Sequence, residues 1–335
     1  MASLAPGGFA IVMATGIVSI AANLLGHGAI GQALFLVNAV LYPAMWAAFL
    51  TRVLLMPRTV LREFASHERG PGFLTIVAAT AVLGSQCASY RIGVILLPWL
   101  LAMAIALWAV LLYGFLAAIT LHQSKPAMPR GLNGSWLLIV VATESLAVLG
   151  SYVAPLGATP GPLIFASFAA FLLGGVLYLM LITLIAYRFA FEPMSAGDLE
   201  GPWWINMGAV AIATLAGSRL MQLPQFDVHV ALLRQIAGPV TVILWATATF
   251  WIPLLVILFA WKHLARREHV RYDPGQWSMV FPLGMYTAST EVFSQAAGLP
   301  FLHPIPAGFF WIGFAAWLLT SVGLLRSLSR LALSG

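Results

Sequence analysis

Residues Trp277 to Thr290 read WSMVFPLGMYTAST, an apolar run interrupted by Pro282, Gly284 and several hydroxyls, with Glu291 directly after it. A helix facing lipid on all sides has no use for such groups, because hydrocarbon satisfies neither free backbone nor charge. The segment is therefore expected to cross a membrane with one face turned to protein or water.

The rest of the chain agrees with a membrane setting. Of its 335 residues 61% are hydrophobic and 8% charged, against about 25% charged in an ordinary soluble domain. Ten stretches could span a bilayer, which takes about 20 helical residues. They begin near Pro6, Ile30, Pro71, Gly93, Asn133, Gly161, Trp203, Arg234, Trp277 and Pro306. With no sizeable polar block between them, residues 1–335 read as a single all-α transmembrane domain. The first stretch lacks a basic leader and reads as a permanent helix.

Thirteen of the sixteen Lys and Arg residues, Arg271 among them, follow even-numbered stretches; Arg91, Arg219 and Arg234 lie toward the other side. The positive-inside rule then places both termini in the cytoplasm of a cell whose inner membrane holds the chain. That topology accounts for the net charge of +6 without nucleic acid. Cys87 is the lone cysteine, which excludes an intrachain disulfide and a cysteine metal cluster. His27, His67, His122, His229, His263, His269 and His303 show no metal-ligand spacing. His263, His269 and Asp273 cluster as a lipid-modifying enzyme would require, but among basic loop residues that topology already explains. No catalytic motif, metal site or cofactor loop is present.

The opening stretch has four counterparts. GFAIVMATGIVS from Gly8, GFLTIVAATAVLGS from Gly72, SWLLIVVATESLAVLG from Ser135 and WWINMGAVAIATLAGS from Trp203 share its plan: an aromatic residue, a few apolar residues, then a run rich in Gly, Ala, Ser and Thr. The aromatics Phe9, Phe73, Trp136, Trp204 and Trp277 recur every 64, 63, 68 and 73 residues. One helical hairpin used five times, always entering from the same side, would explain this. Small residues also serve close packing in any membrane helix, but five parallel small-residue helices inside a ring of bulkier ones would surround a pore.

Counting from the aromatics sets a common depth. Four residues on stand Met13, Val77, Val140, Gly208 and Phe281, so one large ring meets smaller side chains at one level. Phe281 could close the axis, with Pro282 bending the helix beside it; equally, the proline could be a harmless early-turn residue and Phe281 plain core. Thr15, Gly16, Thr80, Thr143, Gly208 and Gly284 are further lining candidates. Glu144 lies one turn past Val140 on nearly the same face, either as a protonatable modulator of anion passage or as a glutamate bonded to a neighbouring hydroxyl. Arg219 and Glu291 share a level near the outer mouth; they are expected to pair, or to leave Arg219 free to concentrate anions.

PGGFAIVMATGIVS at residues 6–19 and WSMVFPLGMYTAST, with the ten-span plan, resemble the tellurite-resistance/dicarboxylate transporter family, which takes in yeast malate and sulfite exporters and plant guard-cell slow anion channels. The resemblance runs along essentially the whole chain. It implies five hairpins with pseudo-five-fold symmetry around a central pore, a homotrimer with one pore per subunit, and occlusion by a ninth-span phenylalanine, here Phe281. One departure is that the first, third, fifth and seventh spans lack a mid-helix proline, leaving glycine to supply any bends. The expected partners are membrane lipid and small inorganic or carboxylate anions. An anion channel is one reading, and a proton-coupled exporter of C4-dicarboxylates or sulfite is the alternative.

Overall fold

The computed structural model describes residues 6–224, 228–268 and 272–334; His269 and Arg271 lie outside the described residues, as does the side chain of His229. Ten long helices carry the chain: α1 (Ala10–Leu24), α2 (Gly28–Leu55), α3 (Thr75–Tyr90), α4 (Leu97–Leu121), α5 (Leu138–Val153), α6 (Gly161–Phe191), α7 (Ile205–Met221), α8 (Val228–Ala260), α9 (Trp277–Ala297) and α10 (Pro304–Ser334). No strand occurs among the described residues. Eight of the helices are long and apolar enough to cross a membrane. The other two, α7 and α9, are diluted by polar residues, Asn206, Ser218 and Arg219 in one and Ser289, Thr290 and Glu291 in the other.

Burial divides the helices into two classes. The most apolar windows of the α1, α3 and α5 spans are 72%, 83% and 94% buried, whereas those of α2, α4, α6, α8 and α10 are 17% to 33% buried. Helices α7 and α9 are buried along nearly their whole length. Small side chains explain which helices go inside. Without a hydrophobic drive to separate helix from lipid, backbones must approach closely to gain dispersion contacts. Bulky Leu, Ile, Trp and Phe side chains on the even helices, such as Leu54, Trp99, Phe165 and Phe250, remain on the outside.

The five buried helices touch in a closed circuit, α1 to α3, α3 to α5, α5 to α7, α7 to α9 and α9 back to α1. Each outer helix packs on the buried helix before it and on the one after it, with α10 reaching α1. At one end, which we term the entry face, every buried helix is preceded by a 3₁₀ turn: Pro6–Phe9, Gly70–Leu74, Gly134–Leu137, Gly201–Trp204 and Pro274–Gln276. These turns also touch in a closed circuit.

Glycine makes that circuit possible. A Cβ on Gly134 would fall on the carbonyl of Pro202, one on Gly201 on the carbonyl of Gly275, and one on Gly72 would lie 2.9 Å from the amide nitrogen of Gly7. Backbone atoms cannot yield as a side-chain tip can. Gly134→Ala and Gly201→Ala should therefore each lower stability by more than about 2 kcal/mol. Gly161→Ala, where a Cβ would meet nothing within 4 Å, should change it little. Thermal melting in detergent, followed by tryptophan fluorescence, is the check; equal melts for all three would refute the close-approach account.

Candidate functional site

The aromatic residues that open each repeat are fasteners at the entry face. The indole of Trp136 donates to the carbonyls of His67 and Gly131, that of Trp203 to the carbonyl of Asp198, and that of Trp277 to the hydroxyl of Tyr272. In the fourth repeat the buried, tethered ring is Trp203, beneath the Arg188 guanidinium at 5.0 Å. Trp204 instead packs on Phe259. The repeat there runs from Trp203, one residue before the expected anchor.

Where the five entry turns meet they line an open-sided cavity of about 500 Å³, with Gly7, Gly72, Ser135, Pro202 and Gly275 among its walls, one from every repeat, and it reaches Ser278 in the first turn of α9. Helix N-termini direct unpaired N–H groups and positive dipole ends toward such a space, a setting that attracts anions. Two of the turns are capped: Asn133 accepts from the amide of Ser135 at 2.9 Å and Asp273 from that of Gly275 at 2.7 Å. Glu63, Glu68, Glu200 and Asp273 also face the cavity with Arg69. Glu63 is neutralised by Arg52 at 2.6 Å and Arg69 at 3.1 Å. Burial, and then the nearby Asp273 carboxylate, push the Glu200 carboxyl above its ordinary range, while Lys262 pulls the other way.

Phe281 stands one turn deeper than Ser278, about 4.5 Å further along α9. Its ring is 1% exposed. The contacts of α9 settle its orientation. Thr290 accepts from the Trp245 indole at 3.1 Å and Tyr286 bonds Thr249 at 2.8 Å, so these two face the outer helix α8. Pro282 packs against Gly208 of α7, where a Cβ would lie 2.7 Å from the proline ring; Gly284 packs against Ile17 and Val18 of α1 at 2.9 and 3.0 Å on the same construction. Thr290 follows Phe281 by nine residues, roughly half a turn of phase. Phe281 thus points away from the outer helices, to the inside of the circuit, with Met285, Ala288 and Val292 on the same face. All four are buried.

The hydroxyls expected to line the axis do something else. Thr15 accepts from Trp317 of α10 at 3.0 Å, Thr80 bonds Tyr42 of α2 at 2.8 Å, and Thr143 accepts from Trp108 of α4 at 2.9 Å. On α7 the Tyr178 hydroxyl of α6 takes the carbonyl of Asn206 at 3.2 Å. With Trp245 and Thr290, each buried helix is thereby clamped to the outer helix before it, and Trp317 closes the circuit. The one signal of these clamps in the sequence is spacing: Tyr42, Trp108, Tyr178, Trp245 and Trp317 recur every 66, 70, 67 and 72 residues.

The clamps also reset the phase. Met13 precedes Thr15 by two residues, a rotation of about 200°, and points inward. Val77 and Val140 precede Thr80 and Thr143 by three residues, so they lie only about 60° from the clamped face. Ala78 and Val141 take the inward place there. Gly16 is spent on packing, with a Cβ falling 2.9 Å from Asn38 Nδ2 of α2; Gly208 and Gly284 likewise face neighbouring helices rather than the axis.

Glu144 turns outward as well. A Cβ on Gly174 of α6 would collide with its carboxylate, the residue is 0% exposed, and neither oxygen has a hydrogen-bond partner among the described residues. The bond to a neighbouring hydroxyl considered from sequence is therefore absent.

The expected pair at the opposite mouth does not form. Arg219 stacks on Tyr152 of α5 at 4.0 Å and donates to Gln222 at 3.3 Å. Glu291 pairs with His303 at 2.8 Å and accepts from Gln295 at 2.8 Å. Depth alone predicted the bridge, but Glu291 lies seven residues past Gly284, hence on the α1 side of α9 and away from α7.

Comparisons with known proteins carry the assignment further. The chain matches the family described as SLAC1, voltage-dependent anion channel, over residues 3–325. It is 35% identical over 153 residues to an uncharacterized membrane protein of Mycobacterium tuberculosis, covering 46% of this chain and 77% of the relative. Two uncharacterized transporters of Methanocaldococcus jannaschii are 21% identical over 323 residues and 22% identical over 331 residues, each covering more than nine-tenths of both chains. These matches bear out the resemblance to the tellurite-resistance/dicarboxylate transporters. The protein is a multi-pass membrane protein and belongs to the SLAC1 family of anion channels and transporters.

Proposed function

We propose that the protein is a pore for small anions through the cytoplasmic membrane, closed by Phe281. Its ten helices all cross, as five hairpins in pseudo-five-fold array, and the positive-inside rule puts the entry face and both termini in the cytoplasm. The observation that carries the reading is the entry cavity, which gathers five helix N-termini and stops one turn short of the inward-pointing, buried Phe281. Anions would collect at the dipole ends, while the carboxylates of Glu68, Glu200 and Asp273 keep them from binding so tightly that passage stalls.

At and just beyond the level of Phe281 the inward positions are held by Met13, Ile17, Ala78 and Val141 rather than by the hydroxyls of Thr15, Thr80 and Thr143. Such a constriction closes by excluding water. It favours anions that shed hydration easily over doubly charged ones, which is why a channel is preferred here to an exporter of dicarboxylates or sulfite. Pro282 seated on Gly208 holds the gate segment against α7. Arg219 and Glu291 then set the charge of the outer mouth separately. A homotrimer with one pore per subunit completes the proposal.

Phe281→Ala should raise chloride or nitrate flux through vesicles by roughly tenfold or more, the factor that about 1.4 kcal/mol off a barrier gives. A folded variant with unchanged flux would refute the gate. Across chloride, nitrate, sulfite, malate and succinate, flux should follow the electrochemical gradient with little saturation and be greatest for the monovalent ions. Saturable, proton-driven malate or sulfite movement would instead establish the exporter.

A further inference from the structure

Among the described residues, four charged side chains are buried within or at the ends of the long helices, and three have partners. Arg52 has Glu63, Arg188 has the carbonyl of Leu132 and the Trp203 ring, and Glu291 has His303. Glu144 has none: it is fully enclosed at the middle of α5, both oxygens unbonded, its carboxylate pressed on the bare Cα of Gly174. Its surroundings supply no counter-charge. On α4 the neighbouring group is Trp108, committed to Thr143; on α6, one turn from Gly174, Tyr178 is committed to Asn206 and Trp251; α3 meets α5 through Gly84 and Leu149. The amide of Asn206 on α7 is itself without a partner.

Resting on the anion-pore reading, we propose that Glu144 and Gly174 form a proton-operated latch between the pore helix α5 and the outer helix α6. In the closed arrangement described above the carboxyl must carry its proton, since an unpaired carboxylate is poorly tolerated inside a membrane protein. The site can ionise only when α5 and α6 part enough to admit water, to which the proton is released. Gly175, beside Gly174, has open space around it, and a glycine pair is one of the sites at which a helix can bend. Ionisation therefore favours the parted state, and protonation the closed one. Anion flux should rise with pH, because α5 also carries Val141 on the inward face.

The test compares wild type with Glu144→Gln, an uncharged near-isostere, by anion efflux from vesicles between about pH 5 and about pH 9. Wild type should gain roughly tenfold or more across that range, the least expected when the closed state holds the proton at least tenfold more tightly than the parted one. Glu144→Gln should stay within about twofold of the acid-side value throughout. Titration of Glu200 in the entry cavity is common to both proteins and cancels in the comparison. A folded Glu144→Gln with the wild-type slope, or a wild-type flux that falls with pH, overturns the latch and leaves the pore intact. Absence of flux from both wild type and Phe281→Ala overturns the pore instead. The latch is then still decided by infrared difference spectra: a protonated-carboxyl carbonyl band lost in Glu144→Gln supports it, and an identical band in both proteins refutes it. Gly174→Ala should prop α5 and α6 apart and raise acid-side flux severalfold, and Glu144→Ala with Gly174→Ala should remove the collision and restore low flux. If Gly174→Ala alone does not fold, recovery of folding in the double variant reports the same contact, and failure of both refutes it.

Discussion

Backbone-to-backbone approach at the entry turns is the constraint from which the rest of the structure follows. Five 3₁₀ turns can close into one circuit only where no side chain stands between them, and Gly72, Gly134 and Gly201 supply those gaps. The closure brings five helix N-termini around one cavity and sets the buried helices parallel. Everything deeper, including the level of Phe281, inherits its position from this collar.

A second system holds the collar's helices upright. In hydrocarbon a hydrogen bond between helices is worth about 0.6 kcal/mol on average and up to about 1.7, so the five aromatic clamps stabilise modestly as a sum. Their greater effect is directional. A Trp or Tyr that reaches a single Thr or carbonyl fixes the rotation of the buried helix about its own axis, and with it the residue half a turn away. The hydroxyls of Thr15, Thr80 and Thr143 are thereby held off the axis. The same rotation takes Glu144 off the axis and seats it on Gly174, joining an electrically costly group to the contact between a buried helix and its outer neighbour.

Much was legible in the sequence because it depends on composition and period. The apolar stretches, the five-fold recurrence of aromatic openings and the small-residue character of the odd spans all follow from what lipid and close packing permit at any position. Phe281 stood out for the same reason, as the one bulky ring at its level. The entry carboxylates and the clamping aromatics were less visible, since a lone Tyr42 or Trp108 in an apolar helix resembles ordinary lipid-facing bulk until its partner is known.

What the sequence determined by itself was depth: which residues lie at which level along each helix, since rise per residue is nearly constant. What only tertiary structure decided was azimuth. A one-residue slip between repeats rotates a helix by about 100°, enough to exchange Val77 for Ala78 and Val140 for Val141 on the inward face, to point Glu291 at α1 rather than at Arg219, and to turn Glu144 toward α6. Rotation about a helix axis is set by the partner that a side chain finds across the interface, and no run of letters in a single segment contains that partner.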